Sequence, residues 1–251
     1  MKAWKATLAD GVSAAFRQLR PLRENPGCRV LMYHAVGSRV SDDRQHLYNI
    51  DPSRFRDHMR YLATSTNHAV VGLSEGVATG KGVAITFDDG YLDTLMVAAP
   101  VLVELAFPFT VFVTPGFVCG GHVRYLSATA LRELADLPGV TIGAHGNSHR
   151  RLPECDNVEL AQELAGSRAW LEDALSRPVI TMSYPHGAVD RRVRAAAAAA
   201  GYELAACSQF GAHRRNDDHL QVARTDIWAQ DDLQRFKAKI VGAWDWMRWI
   251  T

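Results

Sequence analysis

The sequence predicts a single-domain α/β protein whose parallel strands curl into a barrel, and three observations lead there. Short runs rich in branched apolar residues alternate with helical stretches over roughly residues 28–230, the signature of successive βα units. Most of these runs are continuously apolar, as expected of parallel strands covered on both faces. Seven or eight such units in about 220 residues fit a barrel better than an open sheet.

The predicted strands, in order, are Arg29–His34, Ala69–Gly72, Val83–Phe87, Phe109–Thr114, Val140–Ala144, Val179–Tyr184, Tyr202–Cys207 and Leu220–Thr225. Between them the helix boundaries are readable. Asp51-Pro52 opens a helix toward Leu62, with proline in the first turn. Tyr91 to Leu105 forms another, irregular near Pro100. Ser127 caps a helix that ends near Leu137, before Pro138-Gly139. Asp156 and Glu159 form a capping box for a helix reaching Leu175. Asp190 starts an alanine-rich helix that Gly201 ends.

The organisation read from this pattern is an amphipathic helical extension over 1–27, the α/β domain over 28–230 and a terminal helix over 231–251 that packs on it. In the extension, Trp4, Leu8, Val12, Phe16 and Leu19 fall at helical spacing among Lys2, Lys5, Arg17, Arg20 and Arg23. Such a stripe packs on the domain or lies on a membrane surface, so peripheral membrane contact is an open expectation. Trp244, Trp246 and Trp249 are expected to pack against the domain.

Composition excludes several classes. The chain of 251 residues is 47% hydrophobic and 22% charged, an ordinary globular balance. A net charge of +1 gives no basic face for a nucleic-acid partner. Four cysteines at 28, 119, 155 and 207 lack metal-ligand spacing and are too sparse for a disulfide framework. They read as free thiols in a reducing compartment. With no signal-peptide pattern and no run of about 18 apolar residues, a cytoplasmic location is expected.

In a barrel the active site gathers at the C-terminal ends of the strands. Four predicted strand ends carry chemistry: Tyr33-His34, Asp88-Asp89-Gly90, His145-Gly146-Asn147-Ser148-His149 and Tyr184-Pro185-His186-Gly187. Adjacent carboxylates repel and resist burial unless something compensates them. A divalent cation would do so, with one aspartate as ligand and its neighbour left to take a proton. The alternative is a helix N-cap with acids near the helix dipole. Gly90 permits the tight turn. His145 and His149, four apart, would share a face on a helical turn and could hold one metal. Two imidazoles and a carboxylate make an open metal site with positions left for water and substrate.

Thr86-Phe87-Asp88-Asp89-Gly90 resembles the first signature of the polysaccharide deacetylases, the NodB-homology group that forms carbohydrate esterase family 4. His145-Gly146-Asn147-Ser148-His149 resembles their second. Leu31-Met32-Tyr33-His34-Ala35-Val36 and the Pro52–Leu62 stretch are similar to a branch that processes exopolysaccharides or lipid-linked sugars. The resemblance implies a distorted (β/α)7-type barrel and one divalent metal held by Asp89, His145 and His149, with Asp88 as general base. Zinc is the first expectation for the metal, with cobalt, manganese, iron and nickel as alternatives. The implied activity is removal of an N-acyl group, acetyl first, from an amino sugar. The implied partner is an N-acetylated sugar, an oligosaccharide or a lipid-linked glycan precursor. O-acetyl ester cleavage and a silent carbohydrate-binding homologue are the alternatives.

Three places depart from the pattern. The third signature of the family carries an arginine where this chain has Ser183, ahead of Tyr184-Pro185-His186. Arg224, at the end of the last predicted strand, is the candidate to supply that charge. No late Leu-x-His motif is present, so His34 is the first candidate for the acid that protonates the leaving nitrogen, and His186 the second. Arg150 and Arg151 follow the second signature and are candidates to meet an anionic substrate group.

Overall fold

The computed structural model describes residues 9–16, 27–40, 43, 45–65 and 69–250. Trp4, Leu8, Leu19 and the basic residues of the N-terminal stripe lie outside these. Its centre is a curled sheet of seven parallel strands in the order β8-β7-β6-β5-β4-β1-β9. The strands are β1 (Arg29–Tyr33), β4 (Val83–Phe87), β5 (Phe109–Val113), β6 (Val140–Ala144), β7 (Thr181–Ser183), β8 (Leu204–Ala206) and β9 (Thr225–Asp226). A two-stranded parallel pair, β2 (Ala35–Val36) and β3 (Asn49–Ile50), stands beyond the end of β1.

The expected barrel is present in distorted form. Its edges are drawn together by the segment before β9, where Val222 bridges Ala206 of β8 while Thr225 and Asp226 pair with Leu31 and Met32 of β1. The anticipated strand Leu220–Thr225 is therefore shorter and later. Asp218 accepts from the Leu220 N–H and caps a 3₁₀ turn at His219–Gln221, which uses up its first residues. The anticipated strand Ala69–Gly72 reduces to one bridge, Val70 to Val83, because the chain turns at Gly72 into helix α3 (Leu73–Thr79).

Strands β1, β4 and β5 are buried at every position, which is why their sequences run apolar without alternation. One residue set, including Leu31, Ile85, Phe87 and Val111, packs in the main core with the helices. The alternate set, including Val30, Ala84, Phe112, Leu204 and Ala206, forms a second core with Cys28, Leu73 and Val77. Gly143 belongs to this crowded side, since a Cβ there would lie 2.5 Å from the Phe112 ring.

The helices follow their caps. Asp51 starts α2 (Pro52–Thr64), Ser127 starts α6 (Ala128–Ala135) and Asp190 starts α9 (Arg191–Ala199). The Asp156–Glu159 capping box is complete at α7 (Asn157–Ala161). The irregularity expected near Pro100 is a π turn, Thr94–Ala98, leading into α4 (Ala99–Glu104). Proline has no N–H for the helical ladder, so the register loosens ahead of it. A second π turn, Gln162–Gly166, joins α7 to α8 (Ser167–Leu175) and had no sequence signal. A short helix α5 (Pro115–Cys119) follows β5.

At the chain ends, residues 9–16 form helix α1 against the terminal segment. That segment is α10 (Leu233–Ile240) and a 3₁₀ turn, Asp245–Trp249. Trp244 is buried, Trp246 donates to Ser13 Oγ at 2.9 Å, and Trp249 is 67% exposed with its ring edge toward Phe16. Packing thus holds for two of the three tryptophans. A buried pair of Arg29 with Asp245 (2.6 and 3.1 Å) ties the last turn to β1. The four cysteines are free, and no helix of the described residues is long and apolar enough to cross a membrane.

Helix α10 also meets α2 through His58. This buried ring stacks on Phe236 at 4.0 Å, approaches the Tyr33 hydroxyl at 3.2 Å and reaches the Asp231 carbonyl at 3.0 Å. With Nε2 protonated toward the carbonyl, Nδ1 accepts from the tyrosine. Burial lowers the His58 pKa from 6.5 to about 4. Between those values the unfolded chain binds a proton that the folded chain refuses, so stability falls as pH drops through that window. The loss amounts to roughly 3 kcal/mol. Denaturant titrations of wild type and His58→Gln from pH 7 to 4 should therefore converge as pH falls; parallel curves would refute this account.

Candidate active site and metal centre

The rim at the C-terminal ends of the strands encloses a cavity of about 350 Å³. Asp88 and Asp89 follow β4, His145 and His149 follow β6, His34 follows β1, and Asp226 ends β9. All six line the cavity, together with Tyr48, Tyr91, Phe117, Tyr125, His186 and Ser208.

Asp88 and Asp89 do not cap a helix; they diverge in a turn where Asp89 has φ 73° and Gly90 φ 76°. Two consecutive residues in the left-handed region are costly except at glycine and, less so, at aspartate. The turn sends the two carboxylates to different partners. Asp88 is gripped by Arg224, with Nη1 to Oδ1 at 2.7 Å and Nη2 to Oδ2 at 2.8 Å. Arg224 is fully buried, and its Nε donates to the Cys207 carbonyl at 2.9 Å. Burial pushes the Asp88 carboxyl up, but the charge and hydrogen bonds of Arg224 together with the nearby His145 and His34 outweigh it and hold the group below the usual carboxylate range.

Asp89 Oδ1 lies 3.4 Å from His145 Nε2 and 3.2 Å from His149 Nε2. It is buried and makes no well-formed hydrogen bond among the described residues. The three ligand atoms lie within 4.8 Å of one another. An unsatisfied buried carboxylate oxygen between two imidazole nitrogens fits a divalent cation. Burial lowers His145 to about 4, so that ring is neutral at pH 7. Its Nδ1 faces Ser183, 2.6 Å from Oγ and 3.0 Å from the carbonyl, which leaves Nε2 as the free lone pair. The hydroxyl of Ser183 in turn reaches Asp88 Oδ1 at 3.3 Å.

The helical turn expected for the histidine pair is not what brings them together. Residues 145–149 form a bend in which Gly146 has φ 64° and His149 φ 62°, and the two rings stand 5.0 Å apart.

On the wall at the end of β1, the His34 ring lies tilted against Tyr48 with centroids 4.4 Å apart, and its Nδ1 is buried with no partner among the described residues. Asp226 lines the same wall, and sequence reasoning missed it. Trp228 Nε1 donates to its Oδ2 at 2.7 Å, while Oδ1 has no partner among the described residues. Burial raises its pKa against the pull of His34 and Lys239. Its one sequence signal is the spacing Arg224-x-Asp226 at a strand end. Tyr91, Tyr125 and Phe117 form an aromatic face, with Phe117 stacked on Tyr125 at 4.4 Å and 5.5 Å from the His149 ring.

His186 lies against His149 with its Nε2 3.2 Å from the His149 carbonyl. Arg150 pairs with Glu159 at 2.7 Å and Arg151 with Glu154 at 3.0 Å, both exposed and outside the cavity lining.

The family model for polysaccharide deacetylases matches residues 75–205, just over half of the chain. The chain belongs to the polysaccharide deacetylase family. YxkH of Bacillus subtilis (strain 168), described as a polysaccharide deacetylase, is 26% identical over 225 residues, covering 87% of this chain and 76% of its own. Among solved structures, a Bacillus anthracis polysaccharide deacetylase aligns with TM-score 0.75 and 25% identity over 85% of this chain and 69% of its own. The Streptococcus pyogenes deacetylase PplD, solved with acetate, aligns with TM-score 0.76 and 21% identity over 85% and 97%, which shows a common fold. Family membership makes this deacetylase a hydrolase of acetylated carbohydrate.

Proposed function

We propose that this deacetylase is a metal-dependent N-deacetylase of amino sugars in a glycan or glycan precursor. The observation that carries the reading is the unsatisfied Asp89 oxygen between His145 and His149, beside a second carboxylate kept ionised by Arg224. Asp89, His145 and His149 would hold one divalent ion, zinc first, with cobalt, manganese, iron or nickel as alternatives. When bound, that ion supplies Lewis acidity toward the acyl carbonyl and the attacking water.

The chain's own groups supply the proton transfers. Asp88 accepts a proton from the attacking water, and Arg224 fixes the direction of its lone pairs. An amine leaves poorly unless it is protonated, so an acid is needed across the cavity. His34, beside Asp226, is the candidate. The aromatic face by His149 suits the apolar side of a sugar ring.

Acetate release is the test. Metal-loaded enzyme should release acetate from N-acetylated oligosaccharides and lose that activity to a chelator, regaining it on metal addition. Release from O-acetylated sugars alone would replace the amide reading with the ester one, and chelator-insensitive turnover would remove the metal.

The acid role has its own signature. His34→Ala should cost about 10²- to 10⁴-fold on the amide. It should cost far less on an aryl acetate, whose phenolate departs without a proton. Equal losses on both substrates would remove His34 from the acid role.

A further inference from the structure

The bend that carries the two histidines is gripped by a residue far along the chain. The Asn147 and Ser148 N–H groups donate to Glu163 Oε2 at 2.8 and 3.0 Å, and the Ser148 hydroxyl donates to Glu163 Oε1 at 2.5 Å. Glu163 is 5% exposed. Both oxygens of a buried carboxylate are thus spent on the residues between His145 and His149. Charge-assisted bonds of this kind are stronger than neutral ones.

The bend needs an external hold. Gly146 and His149 both have positive φ, a conformation uncommon outside glycine although histidine adopts it more readily than most residues. Its other side is held as well, since the Gly116 N–H donates to the Asn147 carbonyl at 2.8 Å. A Cβ at Gly116 would lie 2.7 Å from that oxygen.

Glu163 reaches the bend from inside the π turn Gln162–Gly166. Such turns insert one residue into a helix and frequently occur at functional sites. Side chains bond to carbonyls of the turn: Ser167 Oγ donates to the Glu163 carbonyl at 2.7 Å, and the Tyr202 hydroxyl donates to the Leu164 carbonyl at 2.9 Å. The turn is therefore built into the packing, and it sets where the Glu163 side chain emerges.

We propose that Glu163 is a positioning residue for the metal site: its carboxylate clamps the Asn147–Ser148 backbone and so fixes the separation of His145 and His149. The inference rests on the proposed metal site. It touches neither the metal nor the substrate, so its effect should appear in metal binding itself.

The test measures zinc affinity by competition with a chromophoric chelator, and the absorption spectrum of the cobalt-loaded full chain. Glu163→Ala should bind zinc about 10- to 100-fold more weakly, the range seen when groups that orient ligands are removed, and its cobalt spectrum should change. Glu163→Gln should recover most of the affinity, because its amide oxygen can accept from both N–H groups while its NH₂ donates to Ser148 Oγ. Leu171→Ala, in the buried face of α8, is the control for general destabilisation and should keep wild-type affinity and spectrum. If Glu163→Ala does not fold, Ser148→Ala carries the test with a weaker loss of affinity in the same direction.

Wild-type affinity and spectrum in Glu163→Ala, or in Ser148→Ala where that variant stands in, would overturn the inference. So would an equal loss in Leu171→Ala. A wild type that binds no metal would sink the metal reading and this inference together. A wild type that binds while Glu163→Ala is unaffected would sink the inference alone.

Discussion

Asp88→Asn is expected to lower turnover on an N-acetylated sugar by about 10²- to 10⁴-fold, with metal content unchanged. The substitution removes the group that takes the proton while keeping its shape. The metal-binding atoms proposed here belong to Asp89, His145 and His149, and Asp88 is not one of that group. Asparagine still offers Arg224 one oxygen, so the protein should fold. Its NH₂ group faces a guanidinium nitrogen that it cannot satisfy, and a stability loss of about 1–3 kcal/mol is expected. Steady-state kinetics and metal analysis of the same preparation decide the matter. Turnover within tenfold of wild type would mean that another group accepts the proton, and loss of metal would mean that Asp88 is itself a ligand.

The different partners of the two aspartates show what a sequence can and cannot reveal. Asp88-Asp89-Gly90 was conspicuous because two adjacent carboxylates at the end of an apolar run demand compensation. The strands themselves were legible because parallel strands buried on both faces leave uninterrupted apolar runs. Arg224 was reachable only by asking what stands at the end of the last strand, since 136 residues separate it from Asp88. The spacing of His145 and His149 was visible, but not the bend that joins them, because spacing carries no φ angle. Tyr48 and Glu163 gave no usable signal, and Asp226 only its spacing from Arg224. Each gains its place from tertiary packing, and a lone acid or tyrosine in a polar stretch reads as surface. The π turn at Gln162–Gly166 was equally hidden, since an extra residue in a helix leaves the composition of the helix unchanged.

Arg224→Met should produce the largest loss of stability, and its dependence on pH identifies the cause. Removing one partner of a buried ion pair strands the other charge and costs about 3–5 kcal/mol. In the wild type, burial pushes the Asp88 carboxyl up, but Arg224, the largest opposing influence, acting with His145 and His34, holds it below the ordinary carboxylate range. A carboxyl with a lowered folded pKa contributes stability above its unfolded pKa, and that contribution is lost only as pH falls through the folded value. Across pH 4 to 7 the wild-type pair is therefore fully engaged. Without the guanidinium, the largest influence opposing burial is gone and the Asp88 pKa rises above the unfolded value. The folded variant then holds a proton that the unfolded chain releases, so its stability falls as pH rises. The gap between wild type and variant should be small near pH 4 and widest at neutral pH, measured by denaturant titration of metal-free protein. The same shift moves catalysis: a base that must be ionised would be active only at higher pH, displacing the acid limb of the kcat/KM profile upward. A stability gap that does not vary with pH would assign the loss to packing around the arginine stem. An unmoved acid limb would separate the Arg224–Asp88 pair from the base of the reaction.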